Sequence, residues 1–228
     1  MEERRRRSRA LLLDWAGVLT TPVDEAFATW AAAEGVPFTA FRDVMHAFHE
    51  TPGSVLHEVE TGRAPREALE EALADGLARC GTTVSPEGLL ARMFADVRPN
   101  EPIRSLLREA RELGWAIGIL SNSWGNEYDL VDLGRLADVV LLSEQIGLRK
   151  PEPEAFLALA TAVGVDPPGC IFVDDLRRNV RGAVAVGMNG VLYRPGVEGA
   201  LLELVRAGTT TGGARAHRLR ADARRGSE

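Results

Sequence analysis

Lysine is all but missing from this chain of 228 residues: of its 27 basic residues, 26 are arginine and one, Lys150, is lysine. Where arginine has taken nearly every cationic position, a retained lysine marks a place that needs a compact ammonium on a flexible stem rather than a planar fork of donors. Cysteine is scarce as well. Cys80 and Cys170 stand far apart, with no Cys or His companion at metal-ligand spacing, which argues against a disulfide framework or zinc site and fits a reducing, cytoplasmic setting. No apolar run approaches the roughly 18 residues of a membrane span. After Arg4 to Arg7 only Leu11, Leu12 and Leu13 precede Asp14, too few for the apolar stretch of a secretory signal. A soluble protein that engages no membrane is expected.

The formal charge of −6 conceals an uneven distribution, because residues 1–10 and 206–228 hold eleven arginines against Glu2, Glu3, Asp222 and Glu228. No aromatic residue is interleaved with these arginines, and the C-terminal stretch is rich in Gly, Thr and Ala. Disordered tails at 1–8 and 208–228 are therefore expected, and a nucleic-acid partner is not.

Between the tails the pattern changes twice. Residues 9–13 read as a short buried strand that enters a turn at Gly17. From 23 to 97 the apolar residues recur at helical spacing in four pieces, near 23–35, 38–50, 65–80 and 85–97. After Pro99 strands and helices alternate: helix 101–113, strand 115–120, helix 129–136, strand 138–142, helix 153–164, strand 170–173, helix 177–187, strand 190–193 and helix 197–207. This order predicts an α/β fold with a Rossmann-like parallel sheet covered by helices on both faces. Its core domain is expected over 9–21 and 99–207, with a helical cap over 22–98 inserted after the first strand.

In such sheets ligands bind at the carboxyl ends of the strands. Those ends offer Asp14, then Ser121 and Asn122, then the Gly147-Leu148-Arg149-Lys150-Pro151 segment, and then Asp174 and Asp175. Each has an ordinary reading by itself, since Asp and Ser cap helices and close turns. In this order and together with the sole lysine, they resemble the haloacid-dehalogenase-like superfamily. Leu11-Leu12-Leu13-Asp14-Trp15-Ala16-Gly17-Val18-Leu19-Thr20 is similar to its first motif, Ile119-Leu120-Ser121-Asn122 to its second, and Gly147 to Pro153 to its third. Ile171-Phe172-Val173-Asp174-Asp175 with Asn179, Gly182 and Ala183 is similar to the fourth, in the form found near the epoxide-hydrolase N-terminal phosphatase domain. Glu60-Thr61-Gly62-Arg63 with Glu67 echoes the cap of that branch.

The resemblance implies a Mg²⁺-dependent hydrolase of a small phosphorylated molecule. Asp14 is its nucleophile, Ser121 and Asn122 bind the phosphoryl group, and Lys150 neutralises the charge that gathers there. Asp14, the main-chain carbonyl at Ala16, Asp174 and Asp175 are the implied metal ligands. It also exposes a departure. Where the family's phosphatases carry an Asp two residues after the nucleophile, which protonates the leaving group and then activates water, this chain has Ala16. Such acid–base help contributes about 10²–10⁴-fold, so a catalytically weak or silent phosphate-binding relative stands as the alternative. A phosphonatase is disfavoured because the cap holds no lysine, and a dehalogenase because Asp174-Asp175 would be an unneeded repulsive pair. His46 and His49, one helical turn apart, and His57 are open either as proton carriers or as surface pairs. Trp15 and Trp124 are expected either along a pocket or in packing. Monomer and homodimer are both open.

Overall fold

A computed structural model describes residues 7–125 and 128–208, and the predicted tails lie almost wholly outside the described residues. Strand β1 (Ala10–Leu13) comes first and is followed by five helices: α1 (Val23–Ala33), α2 (Phe38–Glu50), α3 (Val55–Glu60), α4 (Arg66–Arg79) and α5 (Leu89–Met93). Then come α6 (Glu101–Glu112), β2 (Ala116–Ser121), α7 (Leu130–Leu136), β3 (Val139–Leu142), α8 (Ser143–Ile146) and α9 (Pro153–Val163). The last elements are β4 (Cys170–Asp174), α10 (Arg177–Ala185), β5 (Asn189–Leu192) and α11 (Glu198–Ala207).

All pairings in the sheet are parallel, in the order β3-β2-β1-β4-β5. The first strand is thus central, with Ala10 in register with Ala116 on one side and Cys170 on the other. Alternation along β1 divides its side chains between two cores. Leu11 and Leu13 pack with Ile117, Ile119, Ile171 and Val173 beneath α6, α7 and α11, while Ala10 and Leu12 pack with Leu120, Phe172 and residues of α9 on the opposite face. Because both faces are covered, these strands are apolar apart from polar residues at their ends, rather than alternating with polar residues.

The five helices between β1 and α6 enclose a third core, which includes Phe41, Leu56, Leu69, Leu73 and Leu77. Each fully buried leucine stabilises that packing by about 1.5–3 kcal/mol. Two adjacent chain segments join this helical layer to the sheet. Thr20 and Pro99 form an antiparallel bridge, the Thr21 N–H donates to Arg98 O at 2.8 Å, and the Asn100 N–H donates to Leu19 O at 2.8 Å. Asn100 also caps α6 through Ile103 N, and its amide donates to Val18 O and the Tyr193 hydroxyl.

Four local expectations need correction. Helix α8 follows β3 at once, where no helix is predicted. Helix α3 was not foreseen, because six residues between the 51–54 turn and Gly62 are too few to display a period; Ser54 caps it by accepting from His57 N at 3.4 Å. The helix expected over 85–97 shrinks to α5, which begins after Gly88 in the left-handed region at φ 64°. Strand β2 reaches one residue further than predicted, so Ser121 is its final residue rather than part of the loop. Among the described residues no helix is long and apolar enough to cross a membrane.

Candidate active site

The carboxyl ends of β1, β2 and β4 converge because these are the three central strands. Asp14 follows β1 directly, and its N–H continues the ladder to Val173 O at 2.9 Å. The chain then makes a single tight turn over Trp15–Leu19, with Gly17 at φ 71°. A side chain at Gly17 would be strained by that φ and would also run into the Asp175 carboxylate. Glycine therefore lets the first turn approach the end of β4.

Lys150 joins the two strand ends. Its ammonium lies 2.7 Å from Asp14 Oδ1 and 2.9 Å from Asp174 Oδ2, and the whole side chain is 1% exposed. Burial opposes its charge, but Asp14 and then Asp174 more than offset that, so Lys150 is held protonated well above the usual lysine range. Asp174 also accepts from Leu176 N at 2.8 Å and from the Asn179 amide at 3.1 Å on each oxygen. Asp14 Oδ1 further accepts from Trp15 N at 2.6 Å.

Asp14, Asp174 and Asp175 bring one oxygen each to within 4.8 Å of one another. Burial raises the Asp14 carboxyl well above its ordinary range; Lys150 counters this, and Asp174 and Asp175 add to it. Asp175 is pushed up to about 6, first by burial and then by Asp174. Three carboxylates thus face one ammonium, and Asn179 Oδ1, in a side chain that is 2% exposed, has no hydrogen-bond partner. Hard oxygen donors short of positive charge, beside a buried acceptor able to take a bond from a cation's water, fit a magnesium-type ion.

Asn122 and Ser121 have partners that the sequence did not disclose. The Asn122 amide donates to Lys150 O and its carbonyl accepts from Lys150 N, each at 2.9 Å. Asn122, expected to contact the phosphoryl group, lines the cavity above Asp14, and both ends of its side-chain amide are bonded to the main chain of the lysine. The Ser121 hydroxyl lies 3.1 Å from that of Tyr128, a residue no sequence signal had marked. Burial holds the Tyr128 phenol above its ordinary range, so it stays a donor.

A cavity of about 780 Å³ opens above Asp14, between the sheet and the helical layer. Asp14, Ala16, Lys150, Asp175 and Asn179 line it on the sheet side, and Phe27, Phe41 and Phe94 on the helical side. Trp15 and Trp124 line it as well and also pack on those rings, which unites their two expected roles. His46 and His49 border it from α2, whereas His57 is not among its lining residues. Burial, then Arg178 and Arg149, lower His49 to about 3, leaving its ring neutral.

One further group ties the helical layer to the sheet. Glu60, at the end of α3 and 2% exposed, accepts from Arg149 Nε at 2.5 Å and from Trp124 Nε1 at 3.1 Å. Two residues on, Gly62 has φ 71° and lies against the Glu144 carbonyl, where a side chain would not fit. Only the echo of a family pattern had pointed to Glu60, and nothing in the sequence had pointed to Arg149.

Comparison with known proteins agrees with this geometry. Residues 8–187 match the model of the haloacid dehalogenase-like hydrolases. A phosphatase of Mycobacterium tuberculosis is 38% identical over 107 residues, which are 45% of this chain and 46% of that protein, so the match spans about half of each. The glyceraldehyde 3-phosphate phosphatase of Methanopyrus kandleri is 28% identical over 192 residues, or 76% of this chain and 81% of that one. A Bacteroides thetaiotaomicron enzyme, solved as an Asp-to-Ala mutant with magnesium and inorganic phosphate, superposes with a TM-score of 0.59 at 21% identity, covering 83% of this chain and 95% of its own. At that identity the likeness establishes the fold.

Proposed function

This chain belongs to the haloacid dehalogenase-like hydrolases, and we propose that it is a magnesium-dependent phosphatase-type enzyme that hydrolyses a small phosphorylated metabolite through an aspartyl-phosphate on Asp14. The observation that carries this reading is Lys150, the sole lysine, buried between Asp14 and Asp174 at 2.7 and 2.9 Å. A dianionic phosphate cannot approach a buried carboxylate unless the charge of both is balanced.

Lys150 holds Asp14 through Oδ1, which leaves Oδ2 as the proposed nucleophile. Attack on phosphorus breaks the bond to the ester oxygen, which leaves with the electron pair and takes a proton from solvent, and water then bonds to phosphorus as the Asp14–phosphorus bond breaks. The Ser121 hydroxyl, 3.1 Å from that of Tyr128, is the group that would donate to a phosphoryl oxygen. Asn122 fixes the main chain on which Lys150 is carried. Asp14, Asp174, Asp175 and the carbonyl at Ala16 are the residues that would hold Mg²⁺, which supplies positive charge to the phosphoryl oxygens when bound. The helices α1–α5 act as the cap, and their aromatic wall excludes water from the site. No membrane or nucleic-acid partner enters this reading.

A phosphatase screen with Mg²⁺, run beside Asp14→Asn, tests it. Turnover is expected in the parent protein and not in the variant. Equal turnover in both, or none with any phosphate ester, would overturn the reading.

A further inference from the structure

We propose that the substrate is the phosphomonoester of an aromatic hydroxyl compound, with its ring held against the wall that Trp15, Phe94 and Trp124 present to the cavity and its oxygen leaving as the aryloxide. The inference rests on the phosphatase reading and names its substrate class. Two independent features lead to it.

The first is that no lining carboxyl is free to serve as a proton donor beside Asp14, while the lining His46 and His49 stand on α2, His49 with Arg178 3.4 Å from its Nδ1. Ala16 lines the cavity where a carboxyl could otherwise reach the leaving group, and Asp14 and Asp175 belong to the acidic cluster. Glu60 is committed to Arg149 and Trp124. The other lining carboxyls, Asp24 and Asp43, are exposed on α1 and α2. An alkoxide expelled without a proton is a poor leaving group, whereas a phenolate spreads its charge into the ring and departs readily.

The second is the wall. Trp15, Phe27, Phe94 and Trp124 form a connected set of rings, with centroid separations of 6.4 Å for Trp15–Phe94, 5.1 Å for Phe27–Phe94 and 5.8 Å for Phe94–Trp124. All four line the cavity, whose volume of about 780 Å³ far exceeds what a phosphate needs. Rings at these distances already pack on one another, and the surfaces they turn to the cavity offer stacked and edge-on places for another ring.

The chemistry balances with water alone. Asp14 Oδ2 forms a bond to phosphorus as the bond from phosphorus to the aryl oxygen breaks, and the aryloxide takes the electron pair and later a proton from solvent. Water then bonds to phosphorus as the Asp14–phosphorus bond breaks, and its proton passes to solvent, giving the phenol and inorganic phosphate.

The test measures kcat/KM with Mg²⁺ for phenyl, cyclohexyl and acetyl phosphate, in the parent and in Phe94→Leu. Phenyl phosphate is expected to exceed cyclohexyl phosphate by at least about a hundredfold. Phe94→Leu is expected to lower the phenyl-to-acetyl ratio by about 2- to 10-fold, through KM. Inhibition of the parent by phenylphosphonate, expected at least about tenfold tighter than by methylphosphonate, reads the ring site without any variant. Turnover of acetyl phosphate with no preference for phenyl over cyclohexyl phosphate, or equal inhibition by the two phosphonates, overturns the aryl assignment while the Asp14 chemistry stands. Failure to turn over all three phosphates overturns both.

Discussion

Asn122 and Lys150 exchange two hydrogen bonds of 2.9 Å, the amide of one against both main-chain groups of the other, as adjacent strands do. The bonds tie the end of β2 to the loop that carries the buried ammonium. Asn122→Ala should therefore lower kcat by about a hundredfold, the typical penalty for displacing a catalytic group by about 1 Å, while Mg²⁺ affinity stays near that of the parent. Steady-state kinetics beside calorimetry checks this, and a parental kcat would show that Lys150 is placed by other contacts.

Glu60 and Arg149 form an ion pair whose side chains are 2% and 12% exposed, so neither charge is well solvated. Glu60→Gln preserves an acceptor for Trp124 but strips Arg149 of its carboxylate, and only Glu152 at 3.9 Å remains as a weaker substitute. The variant should lose about 3 kcal/mol of stability, and Glu60→Gln combined with Arg149→Met should recover most of it. Urea unfolding of the two variants decides the matter. If the double variant is no more stable than the single one, the loss arises elsewhere.

Stability should depend on pH in opposite senses with and without Mg²⁺. Burial and Asp174 raise Asp175 from 3.8 to about 6, so the folded protein binds more protons than the unfolded chain between those values. That stabilisation is fully present below 3.8 and is lost as pH rises through about 6. With a chelator this group should make the protein less stable at about pH 7 than at about pH 5, and the stabilisation gained from Mg²⁺ should be larger at the higher pH. Thermal melts at both values, repeated in Asp174→Ala/Asp175→Ala, provide the measurement. A Mg²⁺ shift that persists in that double variant would place the ion elsewhere.

In the proposed reaction, Ala16 would leave the second half without a carboxylate base to activate water, even where the leaving group needs no acid. Phenol release should then show a burst approaching one equivalent per Asp14 before a slower steady state. Ala16→Asp should abolish the burst and raise turnover of an alkyl phosphate by about 10²-fold or less, well beyond its effect on an aryl ester. Stopped-flow measurements with both esters, with Mg²⁺ occupancy verified, test this. An equal change for the two esters would remove position 16 from proton transfer.

Much of the fold is written locally. The apolar runs at 10–13 and 170–173, and the helices between the later strands, follow from spacing alone, because burial on both faces of a parallel sheet requires continuous apolar strands. The same order places Asp14, Ser121, Asp174 and Asp175 at strand ends and Lys150 in the loop that follows β3 and α8, so the candidate site was legible as a set of positions. Asn122 illustrates the limit of that reading: its motif marks it as important, but its partner lies 28 residues away.

The sequence by itself determined the order of the strands and longer helices, the helical layer after β1, the lone lysine and the alanine at position 16. Only the tertiary structure decided that Asn122 holds the lysine's main chain, that Tyr128 meets Ser121, that Glu60 binds Arg149 across 89 residues and that five Phe and Trp rings border one cavity. The physical reason is that periodicity records which face of an element is buried, a property of neighbours three or four positions apart. A hydrogen bond or ion pair between distant segments depends on how whole elements pack. It leaves no spacing in the chain from which it could be read.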